Sequence, residues 1–369
     1  MWWFALLALV ACAPETERAK EIVPGAATAH QALPELQGKV RPLEKGYEID
    51  LQWKAPGWAA EHWWIQRHSP RSQSTLARLE GSADRFSDAT AEMGIAYRYG
   101  LYAEVQGVLS EVASAEVSVP RDWVYATGKQ LAAAGTYGRV FLEEGAVVLT
   151  GDQDFELKAD AIYSEGGRFE SYPENQRAPA GDAGRKAGKI TLQAKRFKGV
   201  LHVVSRGERG GNGVPGAEGK IGSRGRNGRE AHFDIGVMRP APGENGFPGG
   251  RGGPGSTGGA GGRGGDGGAV HLVLDHVEGY VHPTSLGGAG GAAGKGGAGG
   301  KGGPGGSGGK MPSTAQVRVA EGVDGEVGPT GAPGADGQAG AAGVSGEVCL
   351  QLADKVILGT CAPVRIDHP

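Results

Sequence analysis

Few residues of this chain have the spacing that catalysis requires. Asp152 and Asp154 stand beside a turn as a carboxylate pair suited to acid–base work, but aspartates at turns more often hydrogen-bond the local backbone. The nine histidines show neither H-x-x-x-H nor H-E-x-x-H spacing, so no helical metal motif is encoded. There is no nucleophile elbow, and the glycine-rich stretches lack the Gly-Lys-Ser/Thr ending of a phosphate loop. Nothing points to an enzyme, a metal or a cofactor. Of the three cysteines, Cys349 and Cys361 are a candidate disulfide that would pin the C-terminal strand in an oxidising compartment. Its enclosed loop is short, so the gain is roughly 3 kcal/mol at best. The alternative is two free thiols.

Chemistry suited to recognition sits instead in two connectors, 229–242 and 310–321. In the first, Phe233, Ile235 and Val237 alternate with His232, Asp234 and Gly236, followed by Met238 and Arg239. In the second, Val317 and Val319 alternate with Gln316 and Arg318. His232, Phe233, Asp234, Met238, Arg239, Gln316 and Arg318 are therefore the candidates for touching a protein or glycan ligand. The plainer reading of both connectors is a pair of strands sealing an end.

Glycine is what must position these connectors. It recurs at every third position in four blocks, 207–228, 243–267, 288–309 and 322–346, each of eight or nine triplets. A left-handed three-residue helix puts every third side chain on one face, and a face of glycine lets a neighbouring backbone approach and exchange hydrogen bonds. Blocks of about 25 residues would then form rods of roughly 75–80 Å at ~3.1 Å per residue. A collagen triple helix wants proline at roughly 15–20% or more, and these blocks hold only Pro215, Pro248, Pro254, Pro304, Pro329 and Pro333. A flexible linker needs glycine content but not glycine period. A polyglycine II bundle needs the period, though ordering so much glycine is entropically costly. The first and fourth blocks are mostly Gly-X-Y with bulky X and Y, whereas the second and third shift to Gly-Gly-X. The bundle reading thus puts the first and fourth outside, and the second and third inside.

The blocks resemble the polyglycine II bundles of bacteriophage tail-fibre tip adhesins and of the springtail antifreeze protein, over residues 207–346 alone. Gly261 to Asp266 also approaches the calcium-binding nonapeptide of RTX repeats, but the apolar position is Gly268 and no tandem copy follows, so no metal is expected.

The remaining chain reads as modules. Residues 1–11, apolar and ending at Cys12, resemble a bacterial lipoprotein signal peptide; Leu9-Val10-Ala11-Cys12 is similar to a lipobox. The start departs from that pattern, with Trp2-Trp3 in place of Lys or Arg, and the run is too short to span a bilayer. The resemblance implies lipidation at Cys12, and Ala13 beside it favours the outer membrane. Residues 12–37 read as a tether. Residues 38–120 read as an antiparallel sandwich, with Tyr47, Ile49, Leu51 and Trp53 on one face. Leu51-x-Trp53, the strand at 63–67 and G-x-x-Y-x-Y-x-L-x-A at 94–103 resemble the fibronectin type III family, which implies a tyrosine corner at Tyr97. Residues 121–205 read as a less regular β-rich base.

A repeat joins base and blocks. Gly188-Lys189-Ile190-Thr191-Leu192 recurs 80 residues on as Gly268-Ala269-Val270-His271-Leu272, and a further 78 on as Gly346-Glu347-Val348-Cys349-Leu350. If these strands stack, each pair of blocks leaves the base and returns, with its connector at the far tip. Residues 206–346 form the bundle and 347–369 a C-terminal strand and tail. The predicted fold class is all-β plus polyglycine II: a small fibronectin III-like β-sandwich followed by a β-rich base bearing the bundle.

The formal net charge of −3 suggests no nucleic-acid partner. Together the modules predict an adhesin or recognition protein of the cell envelope, held on the outer membrane through a lipid anchor. A passive spacer is the alternative, and ice binding a more remote one.

Overall fold

The computed structural model describes residues 33–234, 239–311, 318–353 and 355–359. The signal segment, Cys12, most of the tether, Met238, Gln316 and Cys361 lie outside the described residues, as do the side chains of Phe233 and Asp234. The chain divides into two units between Arg121 and Asp122.

Alternating apolar residues make the first unit. Its described strands are β1 (Leu36–Pro42), β2 (Tyr47–Trp53), β3 (His62–His68), β4 (Gln73–Glu80), β5 (Arg85–Asp88), β6 (Ala96–Val105) and β7 (Val108–Ser118). They form two antiparallel sheets, ordered β1-β2-β5 and β4-β3-β6-β7. Tyr47, Ile49, Leu51 and Trp53 point inward and meet Trp63, Ile65, Tyr97, Tyr99 and Leu101 from the other sheet. Trp53 and Trp63 meet edge to face, with ring centroids 6.1 Å apart. Tyr97 Oη accepts the Glu92 backbone N–H at 2.9 Å, which is the tyrosine corner. The unit is a fibronectin type III-like sandwich. It begins earlier than expected: Leu36 is buried at 6% exposure, so β1 takes in the last two residues assigned to the tether.

The second unit contains β8 (Trp123–Tyr125), β9 (Gly128–Leu131), β10 (Gly135–Leu142), β11 (Ala146–Leu149), β12 (Phe155–Glu170), β13 (Ile190–Arg206), β14 (His232–Asp234), β15 (Arg239–Ala241), β16 (Val270–Leu286), β17 (Val348–Leu352) and β18 (Lys355–Leu358). The base is more regular than the sequence suggested. Strands β12, β13, β16 and β17 run parallel and in register, stacking Phe155, Ile190, Val270 and Val348 in one column. Leu157, Leu192, Leu272 and Leu350 form the next column. These columns and Phe169, Phe197, Leu201 and Val203 make one apolar core. The step from β12 to β13 spans 35 residues (155 to 190) and that from β13 to β16 spans 80 (190 to 270), which hides β12 from a search for one period; β10 and β8 continue the sheet in parallel beyond β12. The long strands turn a corner at glycine. Gly199 (φ +110°) stacks beneath Gly279 (φ +139°), and a Cβ on Gly199 would lie 1.9 Å from the Ser164 carbonyl oxygen.

Between β13 and β16 the chain leaves the stack along 207–228 and returns along 243–267; between β16 and β17 it does the same along 288–309 and 322–346. Backbone hydrogen bonds join these four glycine segments at three-residue intervals. The first donates to the third (Gly213 to Ala292, Gly216 to Lys295), and the second to the fourth (Gly255 to Ala332). The second also donates to the first (Gly253 to Lys220), the third to the second (Gly300 to Gly253), and the fourth to the third (Gly331 to Gly300). The second and third segments, rich in doubled glycine, therefore make three bonds per triplet and have three neighbours each. The outer two make two bonds per triplet, with two neighbours. A fifth stretch with the same spacing was not legible: Ala178, Gly181, Gly184 and Ala187 donate to Arg209, Asn212, Arg263 and Asp266.

Candidate functional site

The first connector folds into a hairpin because β14 and β15 pair antiparallel, with Phe233 opposite Pro240 and Asp234 opposite Arg239. Its roots are tied to the second connector. The Ala231 N–H donates to the Lys310 carbonyl at 3.2 Å, and the Gly243 N–H to the Ala320 carbonyl at 3.0 Å. Ala231 is buried at 1% exposure, sealing the joint. Both connectors thus lie at the end of the glycine segments away from the stacked strands.

That end gathers His232, Arg239 and Arg318, all exposed. His232 Nδ1 lies 3.3 Å from the Glu230 carbonyl oxygen, and Glu321 Oε1 accepts the Met311 N–H at 3.4 Å. The backbone of Phe233 and Asp234 is in the hairpin, while Met238 and Gln316 lie outside the described residues. Sequence reasoning missed a neighbour: the Arg226 guanidinium covers the Phe247 ring at 4.3 Å, and Phe247 is 44% exposed. The available signal was that Phe247 is the one aromatic residue within the four glycine blocks.

The other candidate chemistry is spent on structure. Asp154 Oδ1 accepts the Lys189 N–H at 2.8 Å, and Asp152 lies 3.8 Å from Arg185, so the two do not form an acid–base pair. Asp266, in the calcium-like stretch, accepts the Val344 N–H at 2.9 Å and an Arg263 hydrogen bond at 2.6 Å, which hold its carboxyl below the usual range. Among the described residues, no three His, Cys, Asp or Glu side chains gather to hold a metal. Cys349 is disulfide-bonded and 3% exposed.

A polar network lies where the glycine segments leave the base. Glu208, 4% exposed, accepts the Arg185 guanidinium at 2.9 Å, the Arg185 N–H at 3.1 Å and the Gln176 amide at 3.1 Å. The Arg185 hydrogen bond is the leading reason its carboxyl sits below the usual value. Arg185 also covers the Tyr172 ring at 5.0 Å, and burial pushes the Tyr172 phenol up to about 12. This cluster fastens the short fifth stretch to the first glycine segment.

No protein-family model matches the chain, and no curated protein matches it. Among solved structures it is similar to the FN3 domain of human collagen XX, at 18% identity over 26% of this chain and 100% of that one, with a TM-score of 0.21. A Fn3-like protein from Clostridium thermocellum matches at 21% identity over 25% of this chain and 97% of that one, with a TM-score of 0.21. Pectate lyase PelI from Erwinia chrysanthemi, in complex with tetragalacturonic acid, matches at 13% identity over 69% and 78%, with a TM-score of 0.20. At such scores the likeness carries no argument about activity.

Proposed function

We propose that the chain is a lipid-anchored adhesin or recognition protein of a bacterial outer membrane, and that its glycine segments are polyglycine II helices bundled into a stiff arm. The observation that carries this reading is the common rooting of both connectors at one end of the glycine segments, remote from the stacked base. A hydrogen-bond period of three, with glycine at every third position of each segment, is what polyglycine II packing requires. At ~3.1 Å per residue, the stretch 207–228 would carry the connectors about 65 Å from the base. The connectors gather cationic, aromatic and hydrogen-bonding side chains at one end of the segments, suited to a protein or glycan surface on another cell.

Replacing Arg239 and Arg318 together with alanine tests the tip. Binding to cells or to a glycan array is expected to fall at least roughly tenfold, with the melting temperature unchanged. Full retention of binding would favour a spacer whose reach alone matters. Anchoring is tested separately. Cys12→Ala is expected to abolish labelling with radioactive palmitate and to move the protein from the membrane to the soluble fraction.

A further inference from the structure

The two outer edges of the glycine assembly carry opposite charge at the same height. Among the described residues the first and fourth segments each bond to both inner segments and not to one another, so they occupy the two far corners. From 321 to 347 the fourth carries five acidic residues and no Lys or Arg. From 214 to 229 the first carries Lys220, Arg224, Arg226 and Arg229 against Glu218 alone. Heights follow from the hydrogen bonds. Gly306 accepts from the Gly325 N–H and a Cβ on it would lie 2.0 Å from the Arg226 carbonyl oxygen, whereas Gly303 accepts from Gly328 and a Cβ on it would lie 2.0 Å from that of Ser223. Glu326 and Arg224 therefore both lie between those two levels, on opposite corners, and both are exposed.

Neither corner can take another backbone directly. Exposed Val323, Val327 and Ile221 (69%, 71% and 70%) hold a neighbour at side-chain distance. Ends blocked in this way leave charge and apolar side chains as the means of contact. We propose that a second copy of this chain docks the basic edge of its first segment against the acidic edge of the fourth, without axial shift. Copies pointing the same way and level with one another bring Arg224 opposite Glu326, and Arg226 close to the level of Asp324. The contact uses two different surfaces, so it repeats, and connector ends are brought side by side in a row.

Sedimentation velocity of the full chain across a concentration series tests this. Self-association is expected at about 50 mM NaCl and should weaken at least tenfold at about 500 mM, where screening shortens to a few ångströms. Arg224→Glu and Glu326→Lys should each weaken it by roughly fivefold or more. An equimolar mixture of the two variants should recover association, because each then offers the other a complementary edge. A chain monomeric at low salt, association indifferent to both substitutions, or a mixture that fails to recover would each overturn the proposal.

Discussion

Asp88 is 2% exposed, and its environment makes the sandwich sensitive to acid. Burial alone would raise its carboxyl. Hydrogen bonds from Thr90 and from the Tyr99 hydroxyl (2.7 Å), with the Arg67 guanidinium at 2.8 Å, outweigh burial and hold it below the ordinary value. The stabilisation is complete above the unfolded value near ~4 and is lost as pH falls through the depressed folded one. Asp88→Asn is expected to cost roughly 2–4 kcal/mol at pH 7, and the difference from the native protein should shrink below about pH 4. Urea midpoints of both proteins against pH measure this.

His202 has the reverse dependence. Its ring stacks on His282 with centroids 5.0 Å apart, and burial first, then His282 and Arg168, lower its value. Folding disfavours the proton, so stability of the base should fall as pH drops through the unfolded value near ~6.5. His202→Asn should flatten that decline in a pH series of melting temperatures. Tyr97 and Trp53 were legible because alternation fixes which side chains enter the core. The Arg185–Glu208 pair was not. Its members are brought together by the short fifth stretch, where two alanines replace glycine and break the visible period.

At the level of elements, the distances at the every-third glycines leave no room for a Cβ between segments. A Cβ on Gly255 would sit 2.0 Å from the Gly297 carbonyl oxygen, and one on Gly300 at 2.0 Å from that of Lys220. Both obstacles are backbone, so alanine must push whole segments apart. Each substitution should cost about 3 kcal/mol or more, read as a lower melting temperature. Lys301→Ala, on an exposed position, should change stability by less than about 0.5 kcal/mol.

The doubled glycines of the second and third blocks showed which segments lie inside, because a segment with three neighbours needs more bare backbone than one with two. Side-chain staples were not readable in the same way. Asn212, Asn227 and Asn245 accept the backbone N–H groups of Ala292, Ser307 and Val323, and 78–80 residues separate donor from acceptor. An asparagine in a Gly-X-Y triplet looks like any other X or Y until its partner is known. Strand β12 was missed as a repeat for a related reason. Its excursion of 171–189 is too short to share the later period, although Phe155, Leu157 and Ala159 take the same columns.

Across the whole second unit, order is carried by two different means. The base relies on stacked apolar columns, and the glycine segments on backbone hydrogen bonds with almost no buried side chains between them. Residue-resolved amide exchange on the full chain tests that division most directly. In 243–267 two of every three amides donate to backbone, as with Gly252 and Gly253 or Gly255 and Ser256, whereas the middle of each of the other segments donates one in three to backbone, with Ala217 and Gly296 donating in addition to the side chains of Ser256 and Asp336. The expected result is slow exchange following that pattern, denser in the second segment than in its neighbours. Uniformly fast exchange across 207–346, with the base still protected, would contradict the packing of bare backbones on which this account rests.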